Sequence, residues 1–244
     1  RVQNEPHIWA LLQQAGAALR RIDKPDSIES ADYWRFFWNT VAQLSPPEIA
    51  AHLSMLDIPP VPLSREEIAS SHERGQMFIY KPGGIATPDL RSIFYRNFSD
   101  RYRESDSIKE IERPGWIEVD RHEKSVRVSR PEHIHIDPQQ RLIDPNDPAR
   151  IAMTPTEYTI CVLHLLSCGE RPYDDGDHFY SYLGGGRITY QAAATDHVVV
   201  ASTKSAIDKQ PTSINFTSES SMRWSDHDDA RARILYPRYV RLLG

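Results

Sequence analysis

The chain of 244 residues has only two cysteines, Cys161 and Cys168, and both lie in one apolar stretch. If that stretch is helical, they are about 10 Å apart along its axis, whereas a disulfide needs Cα atoms within about 7 Å. We therefore expect buried thiols in a reducing compartment, with the cytoplasm as the default. The absence of a C-x-x-C pair also excludes zinc ribbons and thioredoxin-like redox chemistry.

Long apolar runs are missing as well. No run approaches the roughly 18 residues that a membrane-spanning helix needs. The chain opens Arg1-Val2-Gln3-Asn4-Glu5-Pro6, without the basic and then apolar regions of a secretory signal. A removed signal stays open, because the first residue is not Met. We expect a soluble protein with no membrane partner.

An excess of basic residues is the third absence. The formal net charge is -5, and binding to nucleic acid needs a basic face, so we expect no nucleic-acid partner. The composition, 39% hydrophobic and 26% charged, is that of a folded chain rather than a disordered one.

Motifs for nucleophiles and cofactors are also lacking. There is no G-x-S-x-G elbow of a serine hydrolase. Cys161 and His164 would share a helix face, but their neighbours are apolar, which favours core packing over a thiolate–imidazole pair. Gly184-Gly185-Gly186 precedes a strand-like run rather than a helix, so we predict a tight turn and not a phosphate loop. We predict no cofactor.

Helices dominate the first third of the chain. Apolar residues recur at helical spacing from Ile8 to Ile22, and Ser30 resembles the N-cap of a second helix. Ser45-Pro46-Pro47-Glu48 and Ser64-Arg65-Glu66-Glu67 both have the form of a capping box at a helix start. Between them, three prolines within residues 58–62 favour an extended link.

Strands and further helices are predicted after Gly75. Alternating residues at 116–120 and 125–129, joined by four polar residues, predict a hairpin. Thr154-Pro155-Thr156-Glu157 is a third capping box, opening a helix to Cys168. The other predicted elements are strands at 77–80, 187–190, 197–202 and 214–216, a helix opened by Thr87, and a last helix from Ser225 to Pro237.

This order predicts an α+β fold with a helical N-terminal third, followed by a mostly antiparallel sheet with interleaved helices. We divide the chain into a helical region, 1–75, and an α+β region, 76–244. Whether the two are separate or form one continuous domain stays open at this point.

Histidines and aspartates form the pattern closest to a metal site. His133, His135 and Asp137 would share one side of a strand, because side chains alternate with period two. Asp175, Asp177 and His178 belong to a dense acidic loop. Imidazole and carboxylate are ligands for zinc and related ions. An exposed polar strand for the first segment and a solvated turn for the second are the better explanations of these residues.

Aromatic residues are densest between Tyr33 and Trp38. Five aromatics on one helix occupy most of its circumference, so the helix is either surrounded or partly a contact surface. Trp34 and Trp38, with Arg35 between them, are of the types enriched at binding hot spots.

Two hypotheses of function follow. The first is a non-enzymatic soluble interaction or binding module that presents an aromatic-rich helical surface, with another protein or a second copy as partner. The second is a metal-dependent hydrolase that uses the 133–137 and 174–178 segments. We favour the first, because no catalytic constellation is complete.

Overall fold

A computed structural model describes residues 31–43, 45–85, 89–92, 107–110, 114–121, 143–144, 147–167, 179–189, 196–205, 211–218 and 234–244. The predicted first helix, the Ser30 cap and residues 125–129 lie outside these ranges. Four α-helices occur within them: α1 (Ala31–Gln43), α2 (Pro47–Ser54), α3 (Arg65–Glu73) and α4 (Pro155–Ser167). A 3-10 helix covers Asp89–Ser92, in the region where Thr87 was predicted to open a helix.

Ten strands are present in the described ranges. They are β1 (Gln76–Lys81), β2 (Ser107–Glu110), β3 (Gly115–Asp120), β4 (Ile143–Asp144), β5 (Asp147–Ala152), β6 (Phe179–Thr189), β7 (Asp196–Ser205), β8 (Pro211–Ser218), β9 (Ile234–Pro237) and β10 (Tyr239–Leu243). The strands predicted around 77–80, 116–120, 187–190, 197–202 and 214–216 are confirmed.

The first sheet has the order β1-β3-β10-β5-β4, and all its pairs are antiparallel. The second strand in this order, β3, pairs with β1 on one side and with β10 on the other. Both neighbours come from distant parts of the chain, whereas the predicted hairpin partner of this strand was the segment directly after it. Long-range pairing therefore builds the middle of this sheet.

The second sheet has the order β2-β6-β7-β8, with β9 parallel to β6. The glycines 184–186 lie inside β6, where the pairing with β7 shifts register between Tyr182 and Arg187. The predicted tight turn is therefore wrong: glycine in a strand is typical of a bulge, which this shift indicates. The predicted last helix is wrong at its end, because residues 234–237 form β9.

Helices before and between mostly antiparallel strands make the fold α+β, as the sequence predicted. One hydrophobic cluster joins helical residues such as Trp34 and Leu53 to sheet residues such as Phe78 and Val240. The described parts of the helical and sheet regions thus share a core, while the division at residue 75 stays a prediction.

Capping boxes begin two of the helices as predicted. At α3, Ser64 Oγ accepts from Glu67 N at 3.3 Å, and Ser64 N donates to Glu67 Oε2 at 2.8 Å. At α4, Thr154 N donates to Glu157 Oε2 at 2.8 Å, and Glu157 N donates to Thr154 Oγ1 at 3.2 Å. Four residues of local sequence were enough to predict both helix starts.

The capping box predicted at Ser45 is wrong. Pro46 is the N-cap of α2, with φ -55° and ψ 153°, and no side chain caps this helix. A residue before proline is held out of the helical region, so Pro47 fixes the boundary one residue later than predicted. Ser45 instead donates from Oγ to Val41 O at 2.8 Å, at the end of α1.

These two serines make a matched pair for mutation. We expect Ser64→Ala to lower the free energy of unfolding by about 1 kcal/mol, because Glu67 N loses its acceptor. Ser45→Ala should cost less than about 0.5 kcal/mol, because no helix start depends on it. Urea unfolding followed by circular dichroism measures both; equal losses would contradict the assignment of the caps.

Glu67 gives the α3 cap a dependence on pH. The Ser64 backbone N–H and then the Ser64 hydroxyl lower the pKa of Glu67 below its ordinary value. A carboxyl with a lowered folded-state pKa stabilises the fold above its unfolded pKa, and this is lost as the pH falls through the folded value. We therefore expect Glu67→Gln, which keeps an acceptor but does not titrate, to lose less stability than the wild type between neutral and acidic pH. Equal slopes in acid titrations of the unfolding midpoint would refute this.

Candidate functional site

The six residues predicted to hold a metal all lie outside the described ranges. They are His133, His135, Asp137, Asp175, Asp177 and His178. Within the part of the chain that the structure describes, no three His, Cys, Asp or Glu residues come together in a way that could hold a metal ion. The predicted metal site therefore stays a prediction.

Trp34 and Trp38, predicted to be partner-binding, are fully buried at 0% exposure. Tyr33 and Phe37 are buried with them, so four of the five aromatics of α1 face the core. Neither indole can therefore contact a partner unless the protein opens. The packing of α1 explains why both are buried. The helix is surrounded on most of its circumference, because it packs against the edge of the first sheet, α2 and α4.

Trp38 makes a polar contact as well as an apolar one. Its indole N–H donates to the Tyr80 carbonyl at 3.2 Å. Tyr80 lies in β1, which is an edge strand of the first sheet among the strands that the structure describes. An indole nitrogen that bonds a carbonyl of this strand closes part of the edge, and it satisfies a buried acceptor at the same time.

Trp34 lies between the first sheet and α4. Its ring centroid is 6.3 Å from that of Trp116 in β3 and 5.2 Å from that of His164 in α4. Tyr33 Oη is 2.7 Å from His164 Nδ1, so the imidazole is tied to α1 by a buried hydrogen bond. Cys161 and His164 are both buried, as expected from their apolar neighbours.

The outer face of α1 is made by its exposed side chains, which are Asp32, Arg35, Phe36, Asn39 and Gln43. Phe36 is 44% exposed, the one aromatic of this helix that is not in the core. Arg35 Nη1 bonds Asp32 Oδ1 at 2.7 Å, and Arg35 Nη2 donates to Ile58 O at 3.2 Å. Arg35, the third predicted partner-binding residue, is thus exposed and also anchored to the link between α2 and α3.

Glu118 forms a buried charged cluster that the sequence did not indicate. It is 2% exposed, accepts from Ser71 Oγ, and lies 3.6 Å from Arg74 Nη2 and 3.7 Å from Arg241 Nη1. The alternating pattern at 116–120 predicted a strand and did not indicate a buried charge at Glu118. The cluster joins α3 to β3 and β10, so we assign it a structural role.

Lys81 is the second buried charge that sequence reasoning missed. It ends β1, it is 1% exposed, and its Nζ has no hydrogen-bond partner among the residues that the structure describes. The sequence Lys81-Pro82-Gly83-Gly84 is typical of a turn, and turns usually lie at the surface, where lysine is ordinary. No pattern in the sequence signalled that it would be enclosed.

Two tyrosines have raised pKa values. Burial, and then the charge of Asp57, raise the pKa of Tyr80. Burial, and then the charge of Asp144, raise the pKa of Tyr239 to about 12. Both phenols are therefore protonated at neutral pH, so neither supplies a phenolate base or nucleophile there.

Comparisons with known proteins found no family model that matches the chain, no similar curated protein and no similar solved structure. No helix in the described ranges is both long enough and apolar enough to cross a membrane.

The hydrogen bond from the Trp38 indole can be tested by a substitution that keeps an aromatic ring but removes the N–H donor. We expect Trp38→Phe to lower the free energy of unfolding by about 1–3 kcal/mol, because the buried Tyr80 carbonyl loses its donor. Met55→Leu, at a highly exposed position outside α1, should stay within about 0.5 kcal/mol of the wild type. Denaturant unfolding of both variants measures the difference, and a Trp38→Phe protein as stable as the control would show that the bond contributes nothing.

Proposed function

We propose that the chain is a soluble, non-enzymatic interaction module of the cytoplasm, and that its contact surface is the outer face of α1. The observation that carries this proposal is the exposure of Phe36, 44%, on a helix whose other aromatics are buried. Aromatic and arginine side chains are enriched at binding hot spots, and Phe36 lies next to Arg35. Cys161 is buried and is not part of a disulfide, which is consistent with a reducing compartment.

A second copy of the chain fits this surface best. The outer face of α1 carries one acid, Asp32, and one base, Arg35, which are bonded to each other beside the apolar Phe36. About a two-fold axis, Asp32 of one copy would face Arg35 of the other, so the surface is complementary to itself. The internal ion pair between them is exposed on both sides, and exchanging it costs little, because such pairs contribute about 0–1 kcal/mol.

Sedimentation equilibrium of the full chain over a range of concentrations tests the proposal. We expect a reversible dimer, and we expect Phe36→Ser to raise its dissociation constant at least tenfold, because the apolar centre is lost. Met55→Ser is the matched control: Met55 is 78% exposed and lies outside α1, so its loss should leave the dimer unchanged.

Elemental analysis of the same samples separates this proposal from the metal-hydrolase hypothesis. A chain that stays monomeric at every concentration and carries stoichiometric zinc, manganese or iron would overturn the proposal. Loss of the dimer in Met55→Ser but not in Phe36→Ser would move the contact away from α1.

A further inference from the structure

The buried amine of Lys81 is the feature that no part of the argument so far explains. Lysine is almost never fully buried unless it is paired, yet Lys81 is 1% exposed. Its Nζ finds no hydrogen-bond acceptor in the described residues. Native proteins leave few such groups, and each indicates strain, a functional role or an unseen ion or water.

The surroundings of Lys81 on its sheet face are apolar. Side chains alternate along a strand, so Lys81 shares a face with Ile79 and Met77 of β1. Ile117, paired with Ile79, belongs to the same face, and all three apolar side chains are buried. None of these side chains has an oxygen or nitrogen acceptor, so they give no compensation for the charge.

Space beside Lys81 comes from its cross-strand partner. That partner is Gly115, which has no side chain and a φ of +133°. Among the described residues, a Cβ atom placed there would meet the Leu243 carbonyl oxygen alone, at 3.8 Å. The cross-strand side of Lys81 is therefore not filled by a side chain, as it would be at most positions of a packed sheet.

The chain after Lys81 is held in place and does not offer it an acceptor. His52 Nε2 is 2.7 Å from Gly83 O, so the carbonyl of the turn is already bonded to α2. Pro82 and Ile85, on either side of the two glycines, are buried. The turn residues thus provide no hydrogen-bond acceptor for Lys81 Nζ.

We propose that Lys81 is the anchor of a binding site for a small oxyanion, with a carboxylate or phosphate oxygen as the acceptor for its ammonium group. An ammonium group has three donors and no acceptor, so an anionic oxygen satisfies both its charge and its hydrogen bonds. The proposal is independent of self-association through α1, because Lys81 lies at the end of β1 and not on that helix.

Thermal unfolding of the full chain, in buffers matched for ionic strength with chloride, tests this site. We expect inorganic phosphate, acetate or both to raise the unfolding midpoint saturably, because a ligand that binds only the folded state stabilises it. A response to phosphate alone identifies a phosphate site, and a response to acetate identifies a carboxylate site. Lys81→Met should unfold several degrees higher without added anion, since a buried charge is replaced by an apolar chain of similar length, and should not respond to either anion.

Arg65→Met is the matched control, because Arg65 is an exposed cation at the start of α3 and its loss should leave the response intact. An equal response in Lys81→Met and wild type would mean an adventitious ion only, and no response in the wild type would also overturn the site. If Lys81→Met does not fold, Lys81→Gln, which removes the charge but keeps a polar end, takes its place. An anion response in Lys81→Gln equal to that of the wild type would refute the proposal.

Discussion

Burial of the aromatic face of α1 organises the described structure. Trp34 contacts β3 and α4, Tyr33 bonds His164, and Trp38 bonds the backbone of the edge strand β1. One helix thus contacts β1, β3 and α4, and its bond to His164 spans 131 residues of sequence. Fully burying a large aromatic side chain contributes about 1.5–3 kcal/mol, so this face is among the largest apolar contributions in the core.

The first sheet carries a buried charge on each face, and the two differ in whether neighbouring groups compensate them. Glu118 lies on the face covered by α3 and is compensated by a hydroxyl and two arginines. Lys81 lies on the other face and has apolar neighbours and a glycine opposite it. A compensated buried charge is typical of structural connections, whereas an uncompensated one is a cost to the fold that calls for a binding role.

Local structure was predictable from the sequence where four or five neighbouring residues determine it. The caps at Ser64 and Thr154 depend on a side chain and the backbone three residues away, so the sequence contains the whole interaction. The prediction of a cap at Ser45 was wrong, because the adjacent prolines move the helix start. The prediction of a tight turn at 184–186 was wrong, because glycine occurs both in turns and in strands. Only the pairing of β6 with its neighbours distinguishes the two.

The outer face of α1 was predictable only in part. A crowded aromatic helix indicated either a surrounded helix or a contact surface, and the structure shows mostly the former. Periodicity alone does not state which residues of a stripe face solvent, because that depends on what packs against the helix. Phe36 and Arg35 are exposed, while Trp34 and Trp38, with the same helical propensity, are not.

The sequence by itself determined the α+β class, five of the ten described strands and the starts of two helices, because these follow from periodicity and from contacts a few residues apart. Only the tertiary structure decided that β3 pairs with β1 and β10, that the indoles of α1 lie in the core, and that Lys81 is enclosed. The physical reason is the same in each case. Strand neighbours, burial and the loss of solvent around a charge are set by residues distant in the chain, and no local pattern encodes which of them will meet.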